Sequence, residues 1–151
     1  MVYGLKSIMV YGLKSIIVYT LEMITRIDGT KRYSDILIHN RIVYLSGIVP
    51  SCEGTLYDQT KEVLNLLDSK LKCCGSSKND ILMMTIYLTD ITKYDEMNVA
   101  YDEWVGKPPA RATIGASLPN SMWKLEVAVT AAIPYVVDTT KYGLHDLNYI
   151  V

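Results

Sequence analysis

The chain has 151 residues, half of them apolar and 21% charged, with a formal net charge of −1. That length suits one domain around one sizeable core, and the composition excludes a disordered chain or a fibre. No Lys/Arg block supplies the basic stripe of a sequence-independent nucleic-acid binder, and no apolar run reaches the ~18 residues of a membrane span.

The chain opens on a duplication: "MVYGLKSI" at Met1–Ile8 is repeated letter for letter at Met9–Ile16. Two copies of eight residues do not build a repeat fold, and Lys6 and Lys14 break the apolar run that a signal peptide needs. Residues 1–22 are therefore set apart as an extension, from an in-frame duplication or a start upstream of Met23. The expected location is cytoplasmic. A mitochondrial presequence is the minor alternative, because such leaders are richer in Arg. Cys52, Cys73 and Cys74 form no CxxC pair, and their odd count fits a reducing compartment better than a disulfide framework or a zinc site.

From Met23 the pattern is that of one α+β unit. "EMITRI" reads as a short strand and "DGTKR" as a turn. "YSDILIH" and "RIVYLSG" are β-branched runs joined around His39-Asn40, where Asn tolerates a left-handed turn position. After a loop with Pro50 and Gly54, Val63, Leu64, Leu67 and Leu71 form one apolar stripe, predicting a helix over Leu56–Lys72 closed by Gly75. "DILMMTIYLTD" is continuously apolar and predicts a central strand. Asp90 or Thr92 opens a second helix, whose Met97, Tyr101, Trp104 and Val105 share a face and which ends at Gly106.

Two strands, "RATIGASL" and "WKLEVAVT", close the domain before a tail from Tyr135. Both alternate. Arg111, Thr113, Gly115 and Ser117 form the polar or small phase of the first, and Lys124, Glu126, Ala128 and Thr130 that of the second. With a turn at Pro119-Asn120, antiparallel pairing would set Arg111 opposite Ala128 with Glu126 one diagonal step away. A shifted register would pair Arg111 and Glu126 directly. Either way the two charges are expected together, on the face away from the helices. An Arg and a Glu so placed are ordinarily a cross-strand ion pair.

The ordered set "RYSDILIHN", "VYLSGIVP", "DQTKEVLNLLDSKL", "YDEMNVAYDEWV", "PPARAT" and "KLEVAVTA" resembles the Rid family of reactive-intermediate deaminases, also called YjgF-like or L-PSP-like, and in particular its YoaB-like branch. The resemblance covers about Met23 to Pro134. It implies a chorismate-mutase-like single domain, with a six-stranded mixed sheet and two helices on one face, assembled as a homotrimer with clefts between subunits. It implies hydrolysis of enamine or imine acids such as 2-aminoacrylate to 2-keto acids and ammonia, without metal or organic cofactor. By the same resemblance Arg111 anchors the substrate carboxylate and Glu126 positions water, while Tyr33, Ser46, Asn98 and Thr113 line the substrate site. The best-studied branch carries cysteine where Thr113 stands, and its loop from Arg111 to Pro119 is one residue longer. Other members are described as endoribonucleases or translation inhibitors, and a carboxylate-binding trimer without turnover is a third reading. The bland readings are a strand-start aromatic for Tyr33, a turn residue for Ser46 and a helix-surface amide for Asn98.

Overall fold

The computed structural model describes residues 23–135, together with the backbone of two short antiparallel strands, β1 (Ile8–Tyr11) and β2 (Lys14–Ile17), that form a separate sheet. Those two strands fall on the duplicated octapeptide apart from Ile17; the tail expected beyond Tyr135 lies outside the described residues. The domain then runs β3 (Thr25–Ile27), β4 (Ile36–His39), β5 (Ile42–Ile48), α1 (Leu56–Cys73), β6 (Ile81–Leu88), α2 (Tyr94–Trp104), β7 (Ala110–Gly115) and β8 (Leu125–Ala132). β3 to β8 make one mixed sheet in the order β3-β4-β5-β8-β6-β7.

Local chemistry sets most of these boundaries. Asn40 and Arg41, at φ 52° and 62°, form the two-residue turn that joins β4 to β5, with His39 opposite Ile42. Thr55 caps α1 in a reciprocal capping box with Asp58. At the other end Gly75, at φ 72°, donates to Lys72 O and Ser76 donates to Leu71 O, satisfying the last carbonyls of the helix. Asp90 caps a single 3-10 turn at Ile91–Lys93 that runs directly into α2.

The core lies between one face of the sheet and the two helices. Val63, Leu64, Leu67 and Leu71 of α1 and Met97 of α2 pack on Val43, Leu45, Met84, Ile86, Leu88, Leu125, Val127 and Val129. Each such side chain, once buried, contributes about 1.5–3 kcal/mol of transfer free energy.

The two closing strands do not pair as the sequence suggested. β6 lies between them, parallel to β7 and antiparallel to β8. The strand–helix–strand run β6-α2-β7 explains this: a helical crossover returns the chain parallel to the strand it left. The phase of β7 is also reversed. Arg111, Thr113 and Gly115 register with the buried Met84, Ile86 and Leu88, so they face the helices, while Ala112 and Ile114 face outward. β8 behaves as expected, with Leu125, Val127 and Val129 buried beneath the helices and Glu126 alternating away from them.

Candidate functional site

The sequence placed Arg111 and Glu126 side by side; the fold separates them. Arg111 stands on the edge strand β7 and faces the helices. Glu126 stands two strand positions away on β8, in register with Tyr87 and Ile114 on the outward face. At about 4.8 Å per strand position they are some 10 Å apart across the strands, with Glu126 a further three residues along them, and they lie on opposite sides of the sheet. The cross-strand ion pair does not form.

Arg111 is held by α2. Its Nη1 donates to Asn98 Oδ1 at 3.0 Å and its Nη2 donates to the Tyr94 hydroxyl at 2.7 Å. Its guanidinium also lies over the Tyr101 ring at 4.4 Å. Tyr94, Asn98 and Tyr101 follow the i, i+4, i+7 spacing of one helix face, so α2 presents three partners in a row. Burial pushes the Tyr101 phenol up, against the opposing pull of Arg111. Among the described residues no carboxylate pairs with Arg111; its hydrogen-bond partners Asn98 and Tyr94 are neutral. Thr113, two residues along the strand on the same face, has a buried hydroxyl without a partner.

Glu126 lines a cavity of about 520 Å³ together with Tyr33, Ser46, Gly47, Pro119 and Trp123. The cavity forms where β5 bulges: Leu45 pairs with Val129 and Ile48 with Val127, which leaves one extra residue at Ser46–Gly47. The Glu126 carboxylate lies across Gly47, in space that any Cβ at that position would occupy. Ser46 is thus a bulge residue within β5 rather than a turn residue, and its hydroxyl donates to Ser34 O at 2.7 Å. Tyr33, in the loop before β4, is more than half exposed at the cavity mouth. The lining also carries an ion pair, Lys70 to Asp35 at 3.1 Å.

The six residues singled out in the sequence therefore fall into two groups. Tyr33, Ser46 and Glu126 share the cavity at the β5 bulge; Arg111, Asn98 and Thr113 share the β7–α2 edge. Tyr94, Gly47 and Trp123 were missed. The helical spacing of Tyr94 to Asn98 would have revealed the first; nothing local marks the other two. Among the described residues no group of three or more His, Cys, Asp or Glu side chains could hold a metal ion.

The chain is similar to known proteins over this domain. The family model described as Endoribonuclease L-PSP matches residues 23–133. A RutC family protein of Haemophilus ducreyi is 47% identical over 114 residues, covering 74% of this chain and 97% of that protein. The RutC family protein YoaB of Escherichia coli is 38% identical over 112 residues, covering 73% and 98%. The crystal structure of a YjgF family member from Neisseria meningitidis superposes with a TM-score of 0.74 at 38% identity, covering 76% of this chain and 98% of that one.

Proposed function

Since the chain belongs to the endoribonuclease L-PSP family, which includes the RutC and YjgF proteins, we propose that it hydrolyses small 2-imino acids and their enamine tautomers at a site shared between two copies. The observation that carries this reading is the guanidinium of Arg111, which meets no carboxylate among the described residues and is fixed at an open edge by Asn98 and Tyr94. A planar cation held by neutral groups suits a carboxylate, which it binds through paired N–H donors.

The cavity at the β5 bulge offers the complementary half. Glu126 accepts a proton from water as that water adds to the imine carbon. Glu126 returns that proton to the nitrogen to give the carbinolamine, whose hydroxyl proton then passes to the amino group as it leaves, so that R–C(=NH)–COO⁻ and H₂O give R–C(=O)–COO⁻ and NH₃. An imine carbon is already electrophilic, and holding it beside an aimed water supplies most of the acceleration required. Tyr33, Ser46 and Thr113 shape the space around the nitrogen and the water. This chemistry draws on no metal or organic cofactor.

Arg111 and Glu126 of one copy face opposite sides of its sheet, so a second copy must bring its Arg111 edge to this cavity. The outward sheet face supports such an assembly. Tyr44, Met83 and Ile114 are each more than 40% exposed there, an apolar surface suited to the homotrimer that the family resemblance implies.

The test is a coupled assay. An enzyme that generates 2-aminoacrylate from an amino acid is followed for imine decay with wild type or Arg111→Ala added. Faster decay with wild type alone supports the proposal; no acceleration across several amino-acid precursors contradicts it. Incubating the same preparation with RNA separates this activity from the RNA cleavage that the family's description names.

A further inference from the structure

Tyr94 is bound to Arg111 in a way that leaves its own proton free. A guanidinium only donates, so in the 2.7 Å contact the Tyr94 oxygen must be the acceptor. Among the described residues no other group takes the phenolic hydrogen, and Tyr94 is 38% exposed at the open edge of the sheet. Arg111 meanwhile uses two of its five N–H groups, one on Asn98 and one on Tyr94. The guanidinium stands 5.6 Å from the Tyr94 ring centroid and 4.4 Å from that of Tyr101, so aromatic contact and hydrogen bonds both restrain it. An O–H donor and the remaining N–H donors therefore lie side by side on one rim.

We propose that Tyr94 is a specificity-determining residue that binds the ligand's carboxylate jointly with Arg111, its hydroxyl donating to one of the two carboxylate oxygens that the guanidinium holds through paired N–H groups. The inference rests on the reading of Arg111 as a carboxylate anchor and deepens it: the preferred ligand carries an ionised carboxylate next to the reacting carbon. A neutral amide in the same place would point an NH₂ group at the guanidinium or at the phenolic hydrogen. Acting as acceptor, Tyr94 also holds Arg111; acting as donor, it reads the ligand.

Tyr94→Phe keeps the ring over Arg111 and removes only the hydroxyl. The probes are pyruvate and its neutral amide, titrated by calorimetry against the full-length protein, with imine turnover measured in parallel. Tyr94→Phe should weaken pyruvate binding about tenfold, the effect of losing one hydrogen bond to a charged group. It should leave amide binding within about twofold, raise KM and leave kcat nearly unchanged. A merely structural role would weaken both probes alike, and that result overturns the proposal, as does undiminished pyruvate binding. Wild type that binds no pyruvate overturns both this inference and the anchor reading. Wild type that binds pyruvate but fails to hydrolyse imines removes the proposed reaction alone and leaves the role of Tyr94 to the binding data.

Discussion

The Glu126 carboxylate rests on Gly47, in space that any side chain at position 47 would fill. The extra residue of the β5 bulge brings this glycine under Glu126, so backbone irregularity and carboxylate placement are one feature. Gly47→Ala should displace the carboxylate and reduce imine turnover about 100-fold, the scale of a 1 Å misplacement. Pyruvate affinity should change little, because the anchor, Arg111, stands on β7, away from this bulge. Steady-state kinetics beside a pyruvate titration check this.

Glu126→Gln keeps the shape of the side chain and removes its basicity. Ammonia release should fall about 100- to 1,000-fold, in the range of a lost general base. Pyruvate binding should stay within about threefold. Unchanged release would remove Glu126 from the chemistry.

Much of this architecture was legible in the sequence, and the exceptions share one physical cause. Both helices were marked by apolar stripes at helical spacing, and the β4–β5 turn by an asparagine that accepts positive φ. The β7–β8 relationship was misread because neighbouring strands with good alternation look like a hairpin. The β6-α2-β7 crossover, which makes β7 parallel to β6, was present in the same stretch. The phase of β7 misled for a related reason: its apolar residues face outward, and small ones face the helices. A Cβ at Gly115 would stand 3.3 Å from Ile91 Cβ, so bulk is disfavoured beneath that segment. Arg111 and its three α2 partners were all in view as letters, but their contact depends on which way β7 faces.

Gln59 is a fully buried amide that ties α1 to the loop before β8. Its Nε2 donates to Cys52 O and Met122 O, both at 3.0 Å, and its Oε1 accepts from Lys124 N at 2.9 Å. Gln59→Ala leaves three backbone groups short of a partner and should cost about 3 kcal/mol in urea denaturation. That loop carries Pro119 and Trp123 into the cavity, so ligand affinity should fall with it. A loss below about 1 kcal/mol would mean that water replaces the amide.

Glu62 fastens the loop before α1 by accepting from the Cys52 thiol and from the Ser51 amide and hydroxyl. The Cys52 bond first, and then those of Ser51, draw its carboxyl from an ordinary value near 4.5 to about 2. A depressed folded-state value stabilises the fold above the unfolded value and stops doing so as pH falls through the folded one. The stability difference between wild type and Glu62→Gln should be constant at neutral pH, shrink from about pH 4.5 and vanish near pH 2. Solvent screening keeps it small, because the side chain is only partly buried. Denaturation midpoints across that window provide the check.

The central claim, a site assembled from the Arg111 edge of one copy and the Glu126 cavity of another, is tested most directly by mixing two inactive variants. Arg111→Ala and Glu126→Gln are purified separately, unfolded, and refolded together in equal amounts, with each variant refolded alone as control. A site shared between copies regains about a quarter of wild-type turnover on random reassembly, because some interfaces then unite an intact Arg111 with an intact Glu126. If both residues of a site came from the same copy, no chain in the mixture would carry an intact pair. A mixture as inactive as either variant, alongside fully active refolded wild type, would contradict the account.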